Sequence, residues 1–125
     1  MNAKPLVEAE VDVSLNLLRT RFSGHPTKPD LEAGVATIRA ALGQMRPGFT
    51  ILADWSGIEG LELDSAPYIA EIMEMVRANH AALVVRVLPE PSKDIGINIL
   101  SVVHLRGSAR TVTAENLEEA ERLIR

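Results

Sequence analysis

The residues with the most chemical promise lie in one stretch, LELDSAPYIAEIMEM, at positions 61–75. Asp64 and Ser65 stand side by side where an acidic, apolar segment enters a helix, and Pro67 follows two positions later. Two uses of the pair compete. The structural use is a helix cap: a short side-chain oxygen accepts from the orphan N–H groups of a first turn, and Asp and Ser are preferred there. Pro67 suits that turn, since it has no N–H to leave unpaired. The chemical use is a phosphoacceptor serine. A phosphate on Ser65 adds nearly two negative charges beside Glu62, Asp64 and Glu71. It sits at the positive end of a helix dipole, so the fold survives, while a partner docked on this acidic corner is repelled.

Other reactive side chains do not assemble. His25, His80 and His104 have no i, i+4 pairing and no acidic companion at ligand spacing, so surface or half-buried polar roles are expected of them. No segment reads G-x-G-x-x-G or G-x-S-x-G, and Ser92 and Ser101 have no special context. The chain has no cysteine, which excludes disulfides, thiol catalysis and thiolate metal sites. No metal or cofactor is called for, and an enzyme ranks behind any binding role.

Composition narrows the class further. A chain of 125 residues suits one domain with one core, placed at 1–125. Aromatics are only 3%, so the core must be aliphatic, and Met45, Met73 and Met75 read as core filler. The net charge of −4, with no cluster of Lys and Arg, argues against nucleic acid as a partner, because phosphate contacts dominate that affinity. MNAKPLVEAEVD lacks the apolar heart of a signal peptide. No apolar run approaches the roughly 20 residues that span a bilayer. A cytoplasmic protein is the expectation.

The elements that must position Ser65 follow from periodicity. Val7, Ala9, Val11 and Val13 alternate as one side of a strand, and 15–24 reads as its hairpin partner, with Ser14 and Asn16 in the connection. The segment 24–29 is a Gly/Pro loop. Asp30 is the expected N-cap of a helix whose stripe is Leu31, Val35, Ile38, Leu42 and Met45, stopped at 46–48. A buried strand is expected over 49–55 and a loop over 56–63. The next helix buries Ile69, Ile72, Met73 and Val76 at spacings i, i+3, i+4, i+7. The run 81–88 is nearly all aliphatic or β-branched, as in a central strand covered on both faces. After a loop at 89–94, residues 95–105 read as a crossover helix, with a strand as the alternative. A strand at 109–113 and a helix capped by Thr113, burying Leu117, Ala120, Leu123 and Ile124, complete the order. An opening hairpin followed by alternating helices and strands requires crossovers, hence an α/β domain with a mostly parallel central sheet and helices packed on it.

FTILADWSGIEGLELDSAPYIAEIMEMV resembles the STAS domain, the fold of bacterial anti-sigma factor antagonists. Asp54 at a strand end, the loop from Ser56 and the Asp64–Ser65 pair match that pattern, and so does the order of elements through LEEAERL. Pro67 stands where the family has Gly, and the 54–64 loop is about two residues longer. The resemblance implies a non-enzymatic regulatory protein that acts by protein–protein binding. Ser65 would be phosphorylated by an anti-sigma factor kinase-like partner, Glu62, Asp64, Ser65 and Tyr68 would form the docking face, and Asp54 would be structural near the site. The segment ILADWSGIEG also looks like the phosphoacceptor stretch of response-regulator receivers. That reading needs an acidic pair after the first strand to hold Mg²⁺ and a lysine near the end of the last strand; neither is here, since the first strand leads to a hairpin and the only lysines are Lys4, Lys28 and Lys93. If 95–105 is a helix, Ile95, Ile97, Ile99, Leu100, Val102 and Val103 surround it, which offers a partner or homodimer surface extended by Tyr68 and Met75. The alternative function is a small-ligand or lipid-binding α/β module that uses this surface without a phospho-switch.

Overall fold

The alternating start of the chain folds as a hairpin, β1 (Val7–Asp12) against β2 (Leu17–Gly24), in a computed structural model that describes residues 5–89 and 110–124. The 95–105 segment with its apolar surface lies outside the described residues, as do Ser92, Lys93, Ser101 and His104. Val7, Ala9 and Val11 pack on the core, whereas Val13 falls past the end of β1 and is exposed. The turn at 13–16 closes through Asn16 N–H to Val13 O, 3.2 Å, with Asn16 at φ 51°, a left-handed conformation that Asn tolerates. The other face of the hairpin is charged. Glu8 lies opposite Arg21 and Glu10 opposite Arg19, so unlike charges face each other across the ladder.

Helix α1 (Lys28–Leu42) buries Leu31, Val35, Ile38 and Leu42, the expected stripe, and ends at Gly43. Met45 lies beyond the helix and still packs against the core. The N-cap is Thr27 rather than Asp30, which sits at the third helical position and reaches back. Its carboxylate accepts from Thr27 N–H and Thr27 Oγ1, both at 2.8 Å. Prolines at 26 and 29 suggest a loop, yet a proline in a helix's first turn removes only an N–H that has no partner. The two bonds, the backbone one first, hold the Asp30 carboxyl below its ordinary pKa. Its stabilising contribution is therefore complete above the ordinary carboxylate range and is lost as pH falls through the depressed folded value. Asp30→Asn should cost about 1 kcal/mol at neutral pH, a difference that urea unfolding should show shrinking at acidic pH.

Strand β3 (Thr50–Ile58) runs three residues further than 49–55. Ser56 and Gly57 are poor strand formers, but β2 shifts register between Arg21 and Ser23, and Ser23 and Gly24 then pair with Gly57 and Ile58. Strand β4 (Leu83–Val87) and β5 (Arg110–Ala114) follow, giving the order β1-β2-β3-β4-β5 with every pair after the first parallel. A 3-10 turn (Leu63–Ser65) leads into α2 (Ala66–Ala78), which buries Ile69, Ile72 and Val76, while Met73 of the expected stripe is only half-buried. Helices α1 and α2 cover one face of the sheet, where Phe22, Ile51, Trp55 and Val84 meet them. A seven-residue helix α3 (Leu117–Leu123) covers the other face over Leu52, Val85 and Val87. Strand β4 is thus buried on both faces, as its aliphatic run implies. Asn116 caps α3, its side chain accepting from Glu119 N–H at 2.8 Å, while Thr113 stays in β5 and accepts from Arg86 Nε. Ala120 is buried and Ile124 half-buried, but Leu117 and Leu123 are 44% and 45% exposed rather than facing the core. No helix among the described residues is long and apolar enough to cross a membrane.

Candidate functional site

The end of β3, the loop after it and the head of α2 bring Glu62, Asp64, Ser65 and Tyr68 to one corner of the α1/α2 face. The sequence suggests an acidic corner, and the structure corrects this: each carboxylate there has a nearby partner from a distant part of the chain. Glu62 Oε1 lies 3.0 Å from His25 Nε2, and Asp64 Oδ2 lies 3.4 Å from Lys28 Nζ. Glu71 Oε1 lies 3.2 Å from Arg39 Nη2. All three pairs are solvent-exposed, so each contributes little to stability, and the Lys28–Asp64 and Arg39–Glu71 pairs weaken with salt. His25, Lys28 and Arg39 were not legible as site residues, because their partners lie 32 or more positions away.

Ser65 heads α2 but does not cap it. The preceding 3-10 turn, closed by Ser65 N–H to Glu62 O at 3.0 Å, runs straight into the helix. Ser65 is already helical, at φ −77° and ψ −20°, and its hydroxyl makes no cap bond. An N-cap residue needs an extended backbone to aim its oxygen at the first turn. Ser65 is instead buried, 2% exposed, directly beside the exposed Asp64.

Tyr68, one turn into α2, is half-buried against the core and donates its hydroxyl to Glu32 Oε1 at 3.2 Å, tying α2 to α1. Burial first, and the bond to Glu32 second, raise the phenol above its ordinary pKa. It is the only tyrosine in the chain, so an absorbance titration reads it alone. The midpoint should lie above that of a free tyrosine, and Glu32→Ala should move it down.

Asp54 is not part of this corner. Ala53 and Trp55 point to the α1/α2 face, so Asp54 points to the other. It is buried there, its Oδ1 accepting from Ser56 N–H at 3.0 Å and from Ser56 Oγ at 2.6 Å. It helps line a groove of about 470 Å³ between the charged hairpin face and α3, together with Glu8, Glu10, Arg21, Leu117 and Glu121. Glu121 takes Arg19 in a two-point pair, both contacts at 2.9 Å. Among the described residues no His, Cys, Asp and Glu group is arranged to hold a metal ion.

Comparison with known proteins places this geometry. No family model matches the chain, and no curated protein matches it in sequence. Solved structures do match. SpoIIAA, an anti-sigma factor antagonist in its unphosphorylated form, is 15% identical, with a TM-score of 0.63 over 94% of this chain and 96% of that one. An uncharacterised DUF3478-family protein of Shewanella loihica PV-4 with a SpoIIAA-like fold is 16% identical, with a TM-score of 0.67 over 95% and 92% of the two chains. The five-stranded, mostly parallel sheet with its opening hairpin is therefore a SpoIIAA-like, STAS-like α/β fold, as the sequence resemblance implies.

Proposed function

We propose that this chain is a non-enzymatic regulatory protein that docks a protein partner on the corner formed by Glu62, Asp64, Ser65 and Tyr68, with Ser65 as the switch position. The observation that carries the reading is the state of Ser65: it stands at the head of α2, beside a cluster of exposed ion pairs, with no capping duty to explain it. The likeness of fold to an anti-sigma factor antagonist supports the class of partner, an anti-sigma factor kinase-like protein. The switch would work through volume and charge. A phosphate on Ser65 brings nearly two negative charges and three acceptor oxygens to a site that is 2% exposed. The first turn of α2 then has to open, and the geometry that the partner reads is lost.

The test is affinity capture from lysate of the source organism, with wild type, Ser65→Ala and Ser65→Glu as baits and mass spectrometry on the eluates. A kinase-like protein should be retained by wild type and Ser65→Ala and lost with Ser65→Glu. If all three baits return the same proteins, or none, Ser65 is not a switch.

A further inference from the structure

A switch residue must become accessible, and Ser65 as it stands is shielded. We infer that residues 59–64 form a clasp over the head of α2, fastened to residues 24–28, and that Ser65 is reached only when this clasp opens. The inference rests on the docking reading above and names how that site is regulated. The fixed side is well anchored. Pro26 is fully buried, and Thr27 and Asp30 form the capping box of α1. The moving side is held by weak contacts. Glu59 N–H and Gly60 N–H share one acceptor, Gly24 O, at 2.8 and 3.4 Å. Its side-chain ties among the described residues are the exposed pairs His25–Glu62 and Lys28–Asp64 and one half-buried side chain, Leu61, which packs on the core.

Gly60 is what lets the clasp close. A Cβ at that position would come within 2.5 Å of His25 Nδ1, so a side chain there displaces the imidazole that holds Glu62. A loop fastened by exposed pairs, one shared carbonyl and a half-buried leucine opens more readily than the packed sheet beneath it. Opening does more than uncover Ser65. It releases two basic side chains, His25 and Lys28, beside the newly accessible hydroxyl, and these are donors of the kind a phosphate or a partner's carboxylate requires. The closed state satisfies them internally with Glu62 and Asp64; the open state offers them outward.

The absence of native cysteine makes this directly measurable. In Ser65→Cys the only thiol is the probe, and its rate of reaction with an aromatic disulfide reagent reports opening. The thiol should react slowly in the parent. It should react about three- to tenfold faster when Glu62→Ala and Lys28→Ala remove both pairs. About 1 M sodium chloride should accelerate the parent and not the pair-deleted variant. A thiol that reacts at once in the parent, or a rate that neither pair deletion nor salt alters, overturns the clasp. Should Ser65→Cys not fold, amide hydrogen exchange in the otherwise native chain serves instead. Faster exchange confined to residues 59–66 in Glu62→Ala/Lys28→Ala supports the clasp, and unchanged exchange overturns it. None of these readouts needs a partner, so the two proposals fail separately: a partner captured with an unresponsive thiol rate removes the clasp alone, and a responsive thiol with no partner removes the docking reading alone.

Discussion

Phe22→Ala should destabilise the fold by about 3–5 kcal/mol, the usual cost of emptying a buried aromatic site. Phe22 is 2% exposed and stacks on Trp55 with ring centroids 3.9 Å apart and planes 4° from parallel. The pair bridges β2 and β3 beneath α2, beside Ile72 and Val76. In a chain with only four aromatic residues, two of them are spent on this one contact, so little else can fill the space. Set against a typical stability of about 5–15 kcal/mol, the loss is large enough to unfold a marginal domain. Trp55 is the only tryptophan, so its emission reads the site directly. Urea unfolding should show a midpoint far below wild type, with red-shifted tryptophan emission before the transition. A cost under about 1.5 kcal/mol would mean that the core closes over the gap.

Ser65→Glu should destabilise by about 2–4 kcal/mol at neutral pH, because it places a carboxylate where only 2% of the residue meets water. Local opening of the first turn of α2 limits the cost. Ser65→Ala, by contrast, should change stability by less than about 1 kcal/mol, since no cap bond is lost. A true N-cap would give the opposite order, with alanine costing about 1 kcal/mol and glutamate, favoured near a helix N-terminus, costing little. Denaturant midpoints of the two variants therefore decide between a buried switch position and a cap.

Much of the fold was legible because it rests on local periodicity. The stripes of α1 and α2 and the aliphatic run of β4 each specify their own buried face, and their order implies the parallel sheet. The departures have separate causes, some local and some distant in sequence. Thr27 caps α1 because Asp30 reaches back past Pro29, a geometry that a loop reading of two prolines conceals. β3 outruns its expected end because a register shift in β2 supplies partners for Gly57 and Ile58, a stretch that propensity alone would reject. Leu117 and Leu123 look like core residues on a helical wheel, yet a helix of seven residues resting over β4 buries mainly Ala120. At the candidate site, Asp64 and Ser65 stand out in the sequence by type and position. Their surroundings did not, because His25 and Lys28 stand just before and at the start of α1, more than 30 positions away in sequence, and give the apparent acidic patch partners.

The most direct test of the docking face uses whichever partner the baits retain and measures its affinity for two double variants by titration calorimetry. One, Glu62→Arg with Asp64→Arg, reverses charge at the corner. The other, Glu8→Arg with Glu10→Arg, reverses it on the opposite face of the sheet, in the groove beside α3. The corner variant should bind at least about tenfold more weakly, a loss of about 1.4 kcal/mol, while the groove variant binds as wild type does. Weakened binding by the groove variant alone would contradict the account and move the docking face to the other side of the sheet.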